Sequence, residues 1–175
     1  MMARKFLAAG GRGPFSRMAW PAPADGAPGA WLVVDGVLAQ CERGLHVCRD
    51  VDLAYWIHDE LWDVEVEGPA VDGLDCLVVA RARLLRRIGA WTESRHQFAQ
   101  ASIEHAAASP SLSDREEFGE LLGDARLMAT HGYPALASYT AAVAVGRARG
   151  GDAVQGFRAE RSWQSGWIAE HVVLR

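Results

Sequence analysis

Lysine is almost missing from this chain: of 18 lysine and arginine residues among 175, only Lys5 is lysine. Alongside abundant alanine and glycine, the arginine excess reads as the codon bias of a GC-rich genome and not as an arginine-specific function. Long apolar runs are also missing. No stretch approaches the 18 apolar residues that a membrane-spanning helix needs. Met1 to Phe15 lacks the apolar run of a secretion signal. Three cysteines is an odd number and does not suggest a disulfide framework. A soluble, cytoplasmic protein with reduced thiols and no membrane contact is expected. A net charge of −4 argues against generic nucleic-acid binding, which depends on a basic surface. H-E-x-x-H, G-x-x-x-x-G-K, G-x-G-x-x-G and G-x-S-x-G are all absent, which removes the best-marked metalloprotease, NTPase, dinucleotide and hydrolase readings.

What remains is a chain with 50% hydrophobic residues, enough for a real core. Its character changes near Trp91. Lys5–Ala9 and Arg17–Trp20 read as short strands around Gly10-Gly-Arg-Gly13-Pro14, and Pro21 to Gly29 reads as a loop. Trp31–Val34 reads as a strand turning at Asp35-Gly36 into Val37–Ala39. Trp62 to Glu67 alternates apolar and acidic residues. Cys76–Ile88 sets Val78, Ala80, Ala82 and Leu84 against Arg81, Arg83 and Arg87, with a hairpin expected at Gly68 to Gly73. Beyond Trp91, Thr92 can cap a helix ending before Pro110. Ser113-Asp-Arg-Glu116 forms a capping box for the next helix. Phe118, Leu121, Leu122, Ala125, Met128 and Ala129 make that helix's apolar stripe. Pro134 suits the first turn of a third helix, and a last helix carries Trp163 and Trp167 on one face. The pattern predicts one α+β domain over 1–175: an antiparallel sheet in 1–90, and three to four helices in 91–175 packed on it.

Chemistry concentrates between Cys41 and Gly68. Two of three cysteines, two of six histidines and two of seven tryptophans fall there. His46 follows a glycine turn and precedes a helix start near Asp50, which makes it a candidate general base or ligand-orienting group. Glu65, Glu67 and His58 are the candidate catalytic partners, with Asp63 and Glu60 close in sequence. Trp56, Trp62 and Tyr55 are candidate pocket walls, and Arg81 and Arg83 candidate binding residues. The alternative is a histidine bonded inside a sheet, with the carboxylates paired to Arg81 and Arg83 across strands. Cys41, His46 and Cys48 are the residues a zinc ion would take, since thiolate and imidazole suit it. Paired C-x-x-C spacing is missing, and small buried apolar cysteines are the competing reading. No cofactor is favoured, and zinc is the main alternative.

Cys41-x-x-Gly44-Leu45-His46-Val47-Cys48, with Asp52-Leu53 and the Trp62–Gly68 strand, resembles an uncharacterised actinobacterial family with a C-x-x-G-(hydrophobic)-H-x-C signature. The resemblance extends to Gly13-Pro14-Phe15, to Ala19-Trp20-Pro21, and to Ala159-Glu160-Arg161 with Gln164 to Trp167. It implies no activity, cofactor or partner. From the residues, the expected function is a small-molecule or catalytic pocket around His46. The rivals are an interaction or regulatory module using the helical half, with a protein partner or a second copy, and a Cys/His metal-dependent enzyme.

Overall fold

A computed structural model describes residues 1–112 and 118–174, and the expected capping box at Ser113–Glu116 lies outside the described residues. The protein is α+β, with an antiparallel sheet in its N-terminal half and helices in its C-terminal half. It divides into two compact units, Met1–Thr92 and Glu93–Arg175. No helix among the described residues is long and apolar enough to cross a membrane.

The first unit holds β1 (Met2–Leu7), β2 (Leu32–Val33), β3 (Leu45–Val47), β4 (Glu60–Asp72) and β5 (Leu77–Arg87). A 3-10 turn, Asp50–Trp56, lies between β3 and β4. The order is β1-β4-β5-β2, with β3 also on β5, and every pairing is antiparallel. Just past β3, Cys48 exchanges both backbone hydrogen bonds with Arg4 of β1, at 2.7 and 2.9 Å. The strands β1-β4-β5-β3 therefore return on themselves through that bridge. Ala3, Leu7, Leu45, Val47, Val64, Val66, Leu77, Val79, Ala82 and Leu84 form the core, covered by Trp20 and Trp62.

Four expected strand features differ. Arg17–Trp20 is not a strand and makes only the Arg12–Ala19 bridge. Asp35-Gly36 makes no hairpin, because β2 registers Leu32 against Ala82 on the long edge of β5, which sets Leu32 against the core. Ala39 instead closes a short turn with Arg43. Gly68 takes a positive φ of 78°, as a turn glycine would, but within a bulge. The register slips between Glu67 and Ala70, β4 runs on to Asp72, and the reversal falls at Gly73–Cys76. Pro69 costs no ladder bond at such a bulge. That slip also breaks the expected row on β5: the core takes Leu77 and Val79, then Ala82 and Leu84, so the buried parity changes opposite the bulge.

The helices are α1 (Ala90–Ala107), α2 (Gly119–Thr130), α3 (Pro134–Ala148) and α4 (Ala153–Ile168), followed by a π turn, Ala169–Val173. α1 starts before Thr92, because the Trp91 and Thr92 amides already bond the Ile88 and Gly89 carbonyls. α2 buries Leu122, Ala125 and Ala129, with Phe118, Leu121 and Met128 packed beside them. Pro134 occupies the first turn of α3. This core is built on alanine. Ala137, Ala141, Ala144 and Ala148 are buried on α3, so backbones approach closely. At Gly146 an added Cβ would come within 2.8 Å of the Ala153 carbonyl oxygen.

Ala141 is fully buried in this alanine-rich core. Ala141→Leu is expected to destabilise the protein by about 1–3 kcal/mol through overpacking. Urea denaturation measures this, and an unchanged midpoint would contradict the close packing.

Candidate functional site

β1 places one charged residue in an apolar row. Alternation puts Ala3, Lys5 and Leu7 on the same side of the strand, and Ala3 and Leu7 belong to the core. Lys5 is accordingly 8% exposed. Its Nζ donates to the His46 carbonyl at 2.6 Å and lies 5.5 Å from the centre of the Trp20 ring. Among the described residues, no carboxylate lies within ion-pair distance of it. Burial holds the Lys5 pKa below the ordinary lysine value, with the Cys48 and Cys76 thiols opposing the shift. From sequence alone Lys5 opens the expected Lys5–Ala9 strand and has no assigned role. Its signal was its place in the Ala3-x-Lys5-x-Leu7 row, legible only once the strand is seen to begin at Met2 and not at Lys5.

Lys5 lines a cavity of about 790 Å³ in the first unit. Two loops build its walls. The loop after β1 turns at Gly10 and Gly11, both with positive φ. The Asp59 and Glu60 carboxylates hold it by accepting the Ala9 and Gly10 amides at 2.9 and 3.2 Å. It presents Pro14, Phe15, Met18 and Trp20 to the cavity. The 3-10 turn presents Tyr55 and Trp56, and the Trp56 indole is fixed by donating to the Asp75 carbonyl. Phe15 meets Trp56 edge-on with ring centres 6.2 Å apart. The lining is mainly apolar and aromatic, with polar groups at Lys5, His46, Ser16, Cys41 and Glu42.

His46 sits half-buried on β3 and lines this cavity. Its Nε2 accepts the Cys41 amide at 3.1 Å, which holds a turn in which Cys41 takes a φ of 64°. Burial lowers the His46 pKa, Lys5 lowers it further, and a backbone hydrogen bond with Gly44 opposes both. The ring is thus neutral and engaged with its own turn. Gly44 has a φ of 134°, and an added Cβ would run into the Val78 side chain.

Of the other candidates, the cavity gathers Tyr55, Trp56 and Cys41 with His46, and not the rest. Trp62 is a core residue whose indole donates to Glu60 Oε2 at 3.0 Å. Glu65 and Glu67 pair across strands with Arg83 and Arg81 at 2.6 and 3.0 Å. Both guanidinium groups lie over the Trp31 ring, 4.3 and 4.4 Å from its centre. His58 pairs with Asp59 at 3.1 Å. Asp63 takes Arg4 and Arg86. At the 3-10 turn, Asp52 already accepts the Arg49 amide and side chain. Cys41, His46 and Cys48 do not form a metal site, and no group of three or more His, Cys, Asp or Glu among the described residues is placed to hold a metal. Cys41 is exposed, Cys48 is buried, and burial pushes the Cys48 thiol up to about 12.

In the second unit, Glu160, Arg161 and Gln164 form a buried polar cluster on α4. Glu160 bonds His105 at 2.9 Å, and burial raises its pKa against the pull of that histidine. Arg161 bonds Gln164 and Ser138, and Gln164 bonds the Ser138 carbonyl. His105 stacks on Trp163 at 3.8 Å, and His171 on Trp167 at 4.5 Å. Each of these polar groups has a partner within the helices, which gives the cluster a structural role. The chain matches no protein-family model, no curated protein and no solved structure.

Two outcomes follow from this geometry. Gly44→Ala forces both a left-handed backbone and a clash with Val78, and about 1–3 kcal/mol of stability is expected to be lost. A melting temperature equal to wild type would contradict the tight turn. Lys5 titrates at 10.5 when unfolded and lower when folded. Between those values the unfolded chain binds more protons, so this residue makes stability rise with pH. Lys5→Met is expected to remove that rise. Buried Cys48 and Cys76 contribute opposite slopes in both proteins, so the difference in melting temperature between them reads Lys5 together with its pull on those thiols. Parallel pH profiles would contradict its depressed pKa.

Proposed function

We propose that this protein acts by binding a small molecule in the cavity between the 10–20 loop and the 3-10 turn. The ligand has an apolar, largely aromatic or aliphatic body and one hydrogen-bonding end directed at Lys5. The observation that carries this reading is a buried lysine, without a carboxylate partner among the described residues, opening onto an aromatic-walled hollow. Ligand sites combine apolar walls with a few convergent polar groups, and perturbed titratable residues concentrate in them. His46 belongs to this site as the group that holds the Cys41–Gly44 turn and supplies the carbonyl that positions Lys5. A role as an interaction module is the second reading. It is favoured by exposed Leu127, Tyr133, Leu136 and Tyr139, which cluster in sequence around the α2–α3 connection.

Methyl naphthoate, an aromatic ester of suitable size, serves as a probe through quenching of tryptophan fluorescence. Saturable binding is expected, with Tyr55→Ala weakening it about tenfold, which corresponds to ~1.4 kcal/mol. His58→Ala is expected to leave it unchanged. Equal affinity in wild type and the Tyr55 variant, both folded by circular dichroism, would sink the cavity as the binding site.

A further inference from the structure

We propose that Lys5 is a covalent attachment point, an amine that condenses with the aldehyde or ketone of a ligand held in this cavity. The inference rests on the pocket reading and adds a reaction to it. Three features of the site favour bond formation over a simple ion pair. The Nζ lies in a core row with a neutral carbonyl as its hydrogen-bond acceptor, so the surroundings do little to hold a positive charge there. Burial moves the amine toward its neutral form, which keeps a lone pair while still donating one N–H to the His46 carbonyl. Lysines desolvated in apolar pockets are activated as nucleophiles in this way. The buried Trp20 and partly buried Trp56 limit water around the bond that forms, which disfavours hydrolysis. The titratable groups that act on Lys5 are the half-buried His46 and the thiols of Cys48 and Cys76, both raised by burial, and Glu42 shares the cavity lining without pairing with the Nζ. None of these lies as a carboxylate within ion-pair distance of the Nζ, among the described residues.

In the reaction, the Nζ lone pair attacks the carbonyl carbon and the C=O π pair moves to oxygen. A proton passes from nitrogen to that oxygen, giving a carbinolamine. The C–O bond then breaks as the C=N bond forms, and the second nitrogen proton leaves with the oxygen as water. Nothing is oxidised or reduced, and no co-reactant is needed.

The chain is well suited to a direct test, because Lys5 is its only lysine. The remaining amine is the Met1 terminus, which is bonded to the Val66 carbonyl. Cleavage after Arg4 places the two amines on different peptides. Intact protein is incubated at neutral pH with naphthaldehyde and sodium cyanoborohydride, and the reduced adduct is mapped by mass spectrometry. Labelling of the Lys5 peptide is expected, several-fold faster than that of Met1, and blocked by excess methyl naphthoate. Lys5→Arg, which keeps the charge and the N–H donors, is expected to lose only the Lys5 label. Labelling confined to Met1, or Lys5 labelling that methyl naphthoate does not slow, would overturn the proposal. Binding of methyl naphthoate without trapping at Lys5 removes the imine and leaves the pocket reading standing. Absence of both binding and trapping removes both.

Discussion

The hydrogen bond from the Lys5 side chain to the His46 carbonyl is the contact around which the N-terminal unit is organised. It joins β1 to β3 one residue from Arg4 and two from Cys48, whose backbones pair, so the two contacts together close the ring of strands. A lysine in an apolar row is costly to desolvate, and a single neutral acceptor compensates only part of that cost. The offset comes from the surrounding core, where Leu7, Leu45, Val47 and Val64 are almost wholly buried. A site that a typical strand would fill with valine is therefore held by an amine. The stability to tolerate it comes from residues that have no other part in the site.

The C-x-x-G-L-H-V-C segment takes on a physical meaning in this setting. Gly44 is required by its backbone angle and by the closeness of Val78. Leu45 and Val47 enter the core, and His46 points away from it to hold the Cys41 amide. Cys48 supplies the edge bonds to β1 and stays protonated because it is buried. The two cysteines thus differ in environment, one exposed and one interior, although their spacing invites a shared metal. The segment works as a clamp on β1, and its chemical consequence appears one strand away, at Lys5.

The fold class was legible because its signals are local and redundant: the alternation in Trp62–Glu67, the stripe on α2, and Pro134 at a helix start. The hairpins were misplaced for a definite reason. Asp35-Gly36 and Gly68 to Gly73 carry turn chemistry, but a strand's partner is decided by what the whole edge can bury. β5 offers eleven residues of edge and takes β2 and β3 as well as β4. Half of the candidate site was legible, namely His46, Tyr55 and Trp56, because they lie close together in the chain. Lys5, Phe15 and Trp20 come from a distant segment, and only the closing of the ring brings them there. The carboxylates looked available in sequence, yet the alternation that exposed Glu65 and Glu67 equally exposed Arg83 and Arg81 across from them.

The proposed binding and the proposed reactivity at this site would have a common cause. The walls that would bury an apolar ligand are the same ones that depress the Lys5 pKa, and a bound ligand displaces whatever water still reaches the Nζ. Occupancy would therefore push the amine further toward its neutral form, so a ligand that fits well would also make its own attachment easier. A ligand carrying a carboxylate would act in the opposite direction, since it must bring a charge into the apolar hollow and recharge the lysine to pair with it. The cost of burying two charges with one neutral acceptor nearby exceeds that of burying a neutral carbonyl and a neutral amine. On the proposed reading, the cavity would therefore select by charge before shape, and against acids.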